Sequence, residues 1–240
     1  GSTLTVTPDA DFNGTLVVTV TASDGQASGS GALTLEVTPV NDAPVIAGLE
    51  DQVIDEDTSL TFNINGSDVD GDALTFSASN GDSDISVNGS TLTVTPPANY
   101  NGSEEVAVTV SDGELETTAI FTLTVNPVND APTVDDIAGT TAEDTDFVLE
   151  LSATDIDGDD LTFNAVVDGN GSATVDGSNL TVTPTLNYNG VLTVSVNVYD
   201  GQASGSGNFT LTVNPVNDAP TLDDLADAQV DEDNTYTLEL

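Results

Sequence analysis

The sequence predicts an all-β chain of seven-stranded sandwich domains strung end to end, on three observations. Signposts recur every 88 residues: Asn-Asp-Ala-Pro starts at Asn41, Asn129 and Asn217, Asp-Gly at Asp24, Asp112 and Asp200, and Asn-Gly at Asn13, Asn101 and Asn189. Within each period, apolar residues alternate with polar ones in short runs, the signature of half-buried strands. Gly, Asn, Asp and Pro separate the runs, and no helical periodicity occurs.

In the period 41–128 the elements follow in order. A first strand is expected after Pro44, then strands marked by Leu60, Phe62 and Ile64, by Leu74 and Phe76, by Ile85 and Val87, and by Leu92 and Val94. Val106, Val108 and Val110 mark the sixth, and Phe121, Leu123 and Val125 the seventh. The following period repeats the pattern, for example along Leu192, Val194, Val196 and Val198. Seven short antiparallel strands with turns every 8 to 12 residues fit an immunoglobulin-like sandwich. The expected partition is a C-terminal part of a repeat at 1–40, complete repeats at 41–128 and 129–216, and an N-terminal part at 217–240. Gly1 to Pro8 repeats letter for letter at Gly89 to Pro96, so the chain opens partway through a repeat and reads as an excerpt of a longer polypeptide.

Composition narrows the function. There are 42 acidic residues and no Lys, Arg or His, for a formal charge of -42. Nucleic acid and anionic lipid are engaged through Lys and Arg, so neither is an expected partner. No apolar stretch is long enough to insert in a bilayer. Cysteine is absent, which removes disulfide support. The lack of His, Cys and Lys removes most nucleophile and base chemistry, and no enzyme is expected.

Strand parity places the loops. Consecutive antiparallel strands reverse direction, so a seven-stranded repeat receives the chain at one pole and releases it at the other. Asp68, Asp70, Asp72 and Asp112 then share the receiving pole of repeat 41–128 with the linker residues Asn41 and Asp42, while Glu56 and Asp57 lie at the opposite pole. Stacking successive repeats is expected to bring Glu56 and Asp57 against Asn129, Asp130, Asp155, Asp157, Asp159 and Asp200, and Glu143 and Asp144 against Asn217 and Asp218. Carboxylates packed this densely resist joint ionisation unless a cation intervenes. An all-oxygen set of Asp, Glu and Asn selects Ca²⁺, because zinc, copper and iron want His or Cys.

These residues resemble those of a cadherin-type repeat, specifically the bacterial and archaeal cadherin-like modules of very large extracellular surface proteins. Asp155-Ile156-Asp157-Gly158-Asp159 is similar to the cadherin Asp-x-Asp motif, as is Asp68 to Asp72, and Asn129-Asp130-Ala131-Pro132 is similar to the calcium-binding linker. Glu56 and Glu143 resemble the acidic residue ending the first strand, and Asp112 and Asp200 the aspartate of the sixth-to-seventh loop. Asn-Tyr-Asn-Gly stands where cadherins carry Asp-Arg-Glu, and the chain has no tryptophan, so tryptophan-swap adhesion does not carry over.

The expected function is mechanical. Calcium would tie neighbouring repeats of the chain into a stiff rod, each repeat adding roughly 40 Å, as the stalk of a secreted cell-surface adhesin or an extracellular filament in cell adhesion, biofilm or matrix. Other copies of the chain are a further expected partner. The alternative is a carbohydrate- or protein-binding Ig-like module, for which Tyr100 and Tyr188 are the residues to test.

Overall fold

A computed structural model describes residues 2–134, 137–222, 224–225 and 227–239. The outer limits of the expected partition, Gly1 and Leu240, lie outside these residues. The chain forms two compact units, Gly1–Val128 and Asn129–Leu240.

In the first unit, β1 (Gly14–Ser23) and β2 (Ser28–Val37) form an antiparallel hairpin closed at Ser23 and Ser28. The repeat that follows contains β3 (Val45–Ala47), β4 (Gln52–Asp55), β5 (Leu60–Asn63), β6 (Asn65–Ser67), β7 (Thr75–Ser79), β8 (Asp84–Asn88), β9 (Thr91–Thr95), β10 (Gly102–Ser111) and β11 (Glu116–Asn126). One sheet has the order β4-β11-β10-β7, a second β5-β9-β8, and β3 pairs with β6. Alternation puts every second residue of each strand inside. Leu92 and Val94 from one sheet meet Val106, Val108, Phe121, Leu123 and Val125 from the other, with the Phe62 and Phe121 rings edge-on at 5.6 Å.

The expected seven strands are present, but the first and second are each broken, and not every pairing is antiparallel. The first splits into β3 and β4 around Gly48, whose φ of 66° favours a residue without Cβ. That break lets the chain change sheets. β3 runs antiparallel to β6, whereas β4 runs parallel to β11, with Ile54 opposite Val125. The second splits into β5 and β6 at Ile64, whose amide donates to the Ser90 carbonyl.

The second unit repeats the plan in β12 (Ala138–Ala142), β13 (Phe147–Glu150), β14 (Thr162–Val167), β15 (Gly171–Asp176), β16 (Asn179–Pro184), β17 (Gly190–Tyr199) and β18 (Ser204–Asn214). Its sheets are β12-β18-β17-β14 and β13-β16-β15, with β12 parallel to β18. Its core is built from Leu151, Leu180, Val182, Leu192, Val194, Val196, Phe209, Leu211 and Val213. Past Asn214 the described residues form no strand. No helix among the described residues is long and apolar enough to cross a membrane.

Candidate metal centres

At the receiving pole of repeat 41–128, the loop from Asp68 to Asp72 is folded around one carboxylate oxygen. Asp68 Oδ1 accepts the backbone N–H groups of Asp70, Gly71 and Asp72 at 2.9, 3.1 and 3.3 Å. Gly71, with a φ of 84°, supplies the left-handed residue this turn needs. The other oxygen, Asp68 Oδ2, is shielded from solvent and has no hydrogen-bond partner. Oxygens from Asp68, Asp70 and Asp72 lie within 4.8 Å of one another. The linker closes over this group: the Asp42 amide donates to Asp70 Oδ2 at 2.9 Å, and Asn41 Nδ2 donates to Asp112 Oδ2 at 2.9 Å. The Leu115 amide, the Asn41 side chain and the Glu114 amide hold the Asp112 carboxyl below the usual carboxylate range.

Repeat 129–216 reproduces this geometry. Asp155 Oδ1 takes the amides of Asp157, Gly158 and Asp159 at 3.0, 3.0 and 3.2 Å, and Asp155 Oδ2 is shielded without a partner. Oxygens of Asp155, Asp157 and Asp159 again lie within 4.8 Å of one another. The Asp130 amide donates to Asp157 at 2.8 Å, and Asn129 Nδ2 to the buried Asp200 at 2.9 Å. Partial desolvation, followed by the charges of Asp155, Asp157, Asp200 and Asp160, pushes the Asp159 carboxyl upward. That is the like-charge strain that a cation relieves.

At the opposite poles sit two buried glutamates, Glu56 at 3% exposure and Glu143 at 5%. Each accepts the amide of the residue leading into the next linker, Val128 for Glu56 and Val216 for Glu143. Each also faces an asparagine amide, Asn101 at 3.5 Å and Asn189 at 3.2 Å. Asp57 and Asp144 have φ values of 59° and 58° and accept the amides of Asn99 at 3.0 Å and Asn187 at 2.8 Å. Asn217 and Asp218 are exposed, and among the described residues they meet no other candidate; the Asn217 side chain donates to the Asp218 carbonyl at 3.2 Å.

Several participants escape sequence reasoning. Asn101 and Asn189 read as plain turn residues, yet their amides face the buried glutamates. Gln202 Nε2 donates to Asn129 Oδ1 at 2.8 Å, extending the Asn129 to Asp200 pair. In the first unit a cleft is lined by Asp9, Asp11, Asn13, Val40, Asp42 and Asp70. The signal for Asp9 and Asp11 was available, because the next repeat has Pro97 and Asn99 at those places. Tyr100 and Tyr188 pack against the two cores, and the Tyr188 hydroxyl donates to the Val191 carbonyl at 3.0 Å. Both tyrosines are half-buried.

The donor chemistry of the two aspartate loops fits a hard divalent cation. A solvent-shielded carboxylate oxygen without a donor is costly. Here one stands beside two further carboxylates in a chain that has no cationic side chain to pair with it. Asp68, Asp70 and Asp72, and likewise Asp155, Asp157 and Asp159, are acidic clusters that could hold a metal.

Comparison with known proteins agrees with this architecture. Residues 41–126 match the model of the bacterial Ig domain, and residues 128–214 that of the cadherin-like domain. The array is thus one of Ig-like β-sandwiches. The two matches support a cadherin-like tandem repeat, with a bacterial Ig domain at 41–126 followed by a cadherin-like domain at 128–214. Domains of the cadherin-like family typically bind calcium, and both families are typically extracellular. No curated protein matches the chain. Among solved structures, human protocadherin-24 EC1-2 is 17% identical over 73% of this chain and 100% of its own, with a TM-score of 0.49. Drosophila N-cadherin EC1-3 is 13% identical over 85% of this chain and 78% of its own, with a TM-score of 0.34. An endo-fucoidan hydrolase of glycoside hydrolase family 107 is 21% identical over 88% of this chain, with a TM-score of 0.34. The chain spans only 35% of that hydrolase.

Proposed function

We propose that this chain is a calcium-rigidified spacer, a non-catalytic string of sandwiches that forms the stalk of a secreted cell-surface adhesin or of an extracellular filament. The observation that carries the reading is the pair of shielded, donorless oxygens, Asp68 Oδ2 and Asp155 Oδ2, each held in place by three backbone amides. An oxygen fixed in advance and left without a proton donor is prepared for a metal. Asp70, Asp72 and Asp112 would complete the set around Asp68, with Asp157, Asp159 and Asp200 around Asp155. Glu56 and Asp57 would join the Asp155 set from the preceding repeat, and Glu143 and Asp144 would serve Asn217 and Asp218 of the following one in the same way. When bound, calcium supplies charge neutralisation and crosslinking. The chain's own contribution is to lock the first aspartate, hold the linker amides of Asp42 and Asp130 on the second, and position Asp112 and Asp200 through Asn41 and Asn129.

Isothermal titration with calcium, paired with small-angle scattering before and after chelation, tests this. Saturable binding in the range of extracellular modules, roughly 10⁻⁴ to 10⁻³ M, is expected, with a radius of gyration that increases and a profile that becomes rod-like. Asp155→Asn should weaken binding at least tenfold at its own centre and leave the Asp68 centre intact. Identical scattering in calcium and chelator would sink the spacer reading, and absence of calcium heat would sink the metal centres themselves.

A further inference from the structure

We propose that each complete repeat carries a docking edge for an extended segment of a partner protein whose apolar side chains alternate with Lys or Arg. The segment adds as a strand beside β7 in repeat 41–128 and beside β14 in repeat 129–216. β7 ends one sheet of its sandwich and β8 ends the other, so on that flank neither has a further neighbour among the described residues. β14 and β15 stand in the same places in the second repeat. At this edge variable-type immunoglobulin domains add their extra strands. β7 and β14 contain no charged residue and no proline, the usual guards of an exposed edge.

A groove opens beside each edge. In repeat 41–128 it holds about 470 Å³ and is lined by Leu74, Phe76, Val87 and the Gly89-Ser90 turn. In repeat 129–216 it holds about 370 Å³, lined by Leu161, Phe163, Val175 and the Gly177-Ser178 turn. The same residue types thus build the same groove twice. Phe76, Val87, Phe163 and Val175 also pack against the cores, whereas Leu74 and Leu161, both half-buried, lie outside the two core clusters. Leu74 is backed by Gly66, where a Cβ would stand 3.1 Å from Leu74 Cδ1 and 2.9 Å from Phe76 Cε1. A strand laid beside β7 or β14 would turn every second side chain toward the facing sheet, and so over this groove.

Charge selects the occupant. The chain carries 42 acidic residues and no cationic side chain. Exposed carboxylates adjoin the groove residues along the chain: Asp160 precedes Leu161, Asp176 separates Val175 from Gly177, and Asp82 and Asp84 lead into β8. A second copy of this chain would bring the same charges and nothing to offset them. Lys or Arg set between apolar side chains would meet the acidic rim while the apolar ones fill the groove. In strand addition the main-chain hydrogen bonds give affinity and the groove gives side-chain selection. Each edge lies within one complete repeat, and no aspartate-loop oxygen takes part, so the pairing does not depend on the calcium reading.

Amide NMR shifts of the 240-residue chain, titrated with a synthetic peptide of alternating lysine and valine, test the pairing. Shifts centred on Thr75–Ser79 and Thr162–Val167 are expected, with slowed amide exchange in both strands. Two further peptides separate strand addition from plain charge attraction. One is N-methylated at every residue and donates no backbone hydrogen bond; the other gathers its lysines and valines into separate blocks and keeps the charge without the alternation. Each should bind about tenfold more weakly or worse, the scale of a lost hydrogen bond or buried side chain. Leu74→Ser and Leu161→Ser should each weaken binding about fivefold at its own repeat and leave the other repeat unchanged. Both leucines lie outside the core clusters, so the melting transitions persist. No binding, equal affinity of the three peptides, or shifts gathered on the acidic loops instead of β7 and β14 overturns the proposal. So does a dimer of the free chain in sedimentation that the two serine variants abolish, because a second copy then holds the edge.

Discussion

The segments Ser2–Pro8 and Ser90–Pro96 have the same sequence and different structures. In the second, Thr91–Thr95 is the central strand of a three-stranded sheet, and Leu92 is 0% exposed. In the first there is no strand, and Leu4 is 54% exposed. Local propensity is identical, so the difference lies in tertiary context. β9 has β5 on one side and β8 on the other, while residues 2–8 pair with no strand among the described residues. A β-strand of this composition is a surface that waits for partners.

The comparison yields its largest effect at those leucines. Leu92→Ala should destabilise repeat 41–128 by about 2–5 kcal/mol, since the lost burial leaves a cavity among Val94, Val106 and Phe121. Leu4→Ala should cost under about 0.5 kcal/mol, the scale of a surface change. Denaturant unfolding of both variants measures the contrast. Equal costs would mean that residues 2–8 pack as tightly as β9, against the exposure of Leu4.

A second effect separates the two complete repeats from each other. On β18, Gly205 lies so close to the linker that a Cβ there would stand 1.8 Å from the Pro132 carbonyl oxygen. The equivalent residue in the other repeat is Thr117, which already carries a Cβ. The linkers differ accordingly: β3 pairs with β6 over three residues, whereas among the described residues the second repeat shows only the Thr133 to Thr154 bridge there. Gly205→Ala should therefore cost about 1–3 kcal/mol by overpacking, read as an earlier thermal transition for repeat 129–216. Thr117→Ala should move its own repeat by well under that.

These contrasts show what was legible before any coordinates. The 88-residue period, the alternation of Val106, Val108 and Val110, and the Asp-Gly turns are local signals, and local signals survive. Strand parity also grouped Asp68, Asp70, Asp72 and Asp112 with Asn41 and Asp42. The split of the first strand was not legible, because a parallel pairing to β11 leaves the same alternation as an antiparallel one. Nor were Asn101 and Asn189 as partners of Glu56 and Glu143, since an Asn-Gly dipeptide carries a sufficient reason of its own as a turn. That residues 2–8 carry a strand's sequence within a partial repeat was legible, from the match of Gly1–Pro8 to Gly89–Pro96.

The smallest effect concerns what the two regions share. The hairpin turns at Asp24, Asp112 and Asp200 are alike despite their different surroundings. Asp24 Oδ1 accepts the amides of Gln26 and Ala27 at 2.9 and 2.8 Å, and Asp200 Oδ1 accepts those of Gln202 and Ala203, both at 2.6 Å. All three carboxyls are held below the ordinary value of 3.8: Asp24 chiefly by the Ala27 amide, Asp112 by that of Leu115, and Asp200 chiefly by the Asn129 side chain. A carboxylate with a depressed folded pKa stabilises the fold fully above its unfolded pKa and loses that contribution as pH falls through the folded value. The turns should thus weaken only below about pH 4, the unfolded carboxyl range. Asn129→Ala should raise the Asp200 pKa toward the ordinary value while leaving Asp24 unmoved, because Asp24 has no linker amide on it. Carboxyl carbon shifts followed by NMR through an acid titration read both groups at once. An unchanged Asp200 in that variant would mean that its two backbone donors alone set its acidity, as they do at Asp24, and that the linker contributes nothing to holding the aspartate in place.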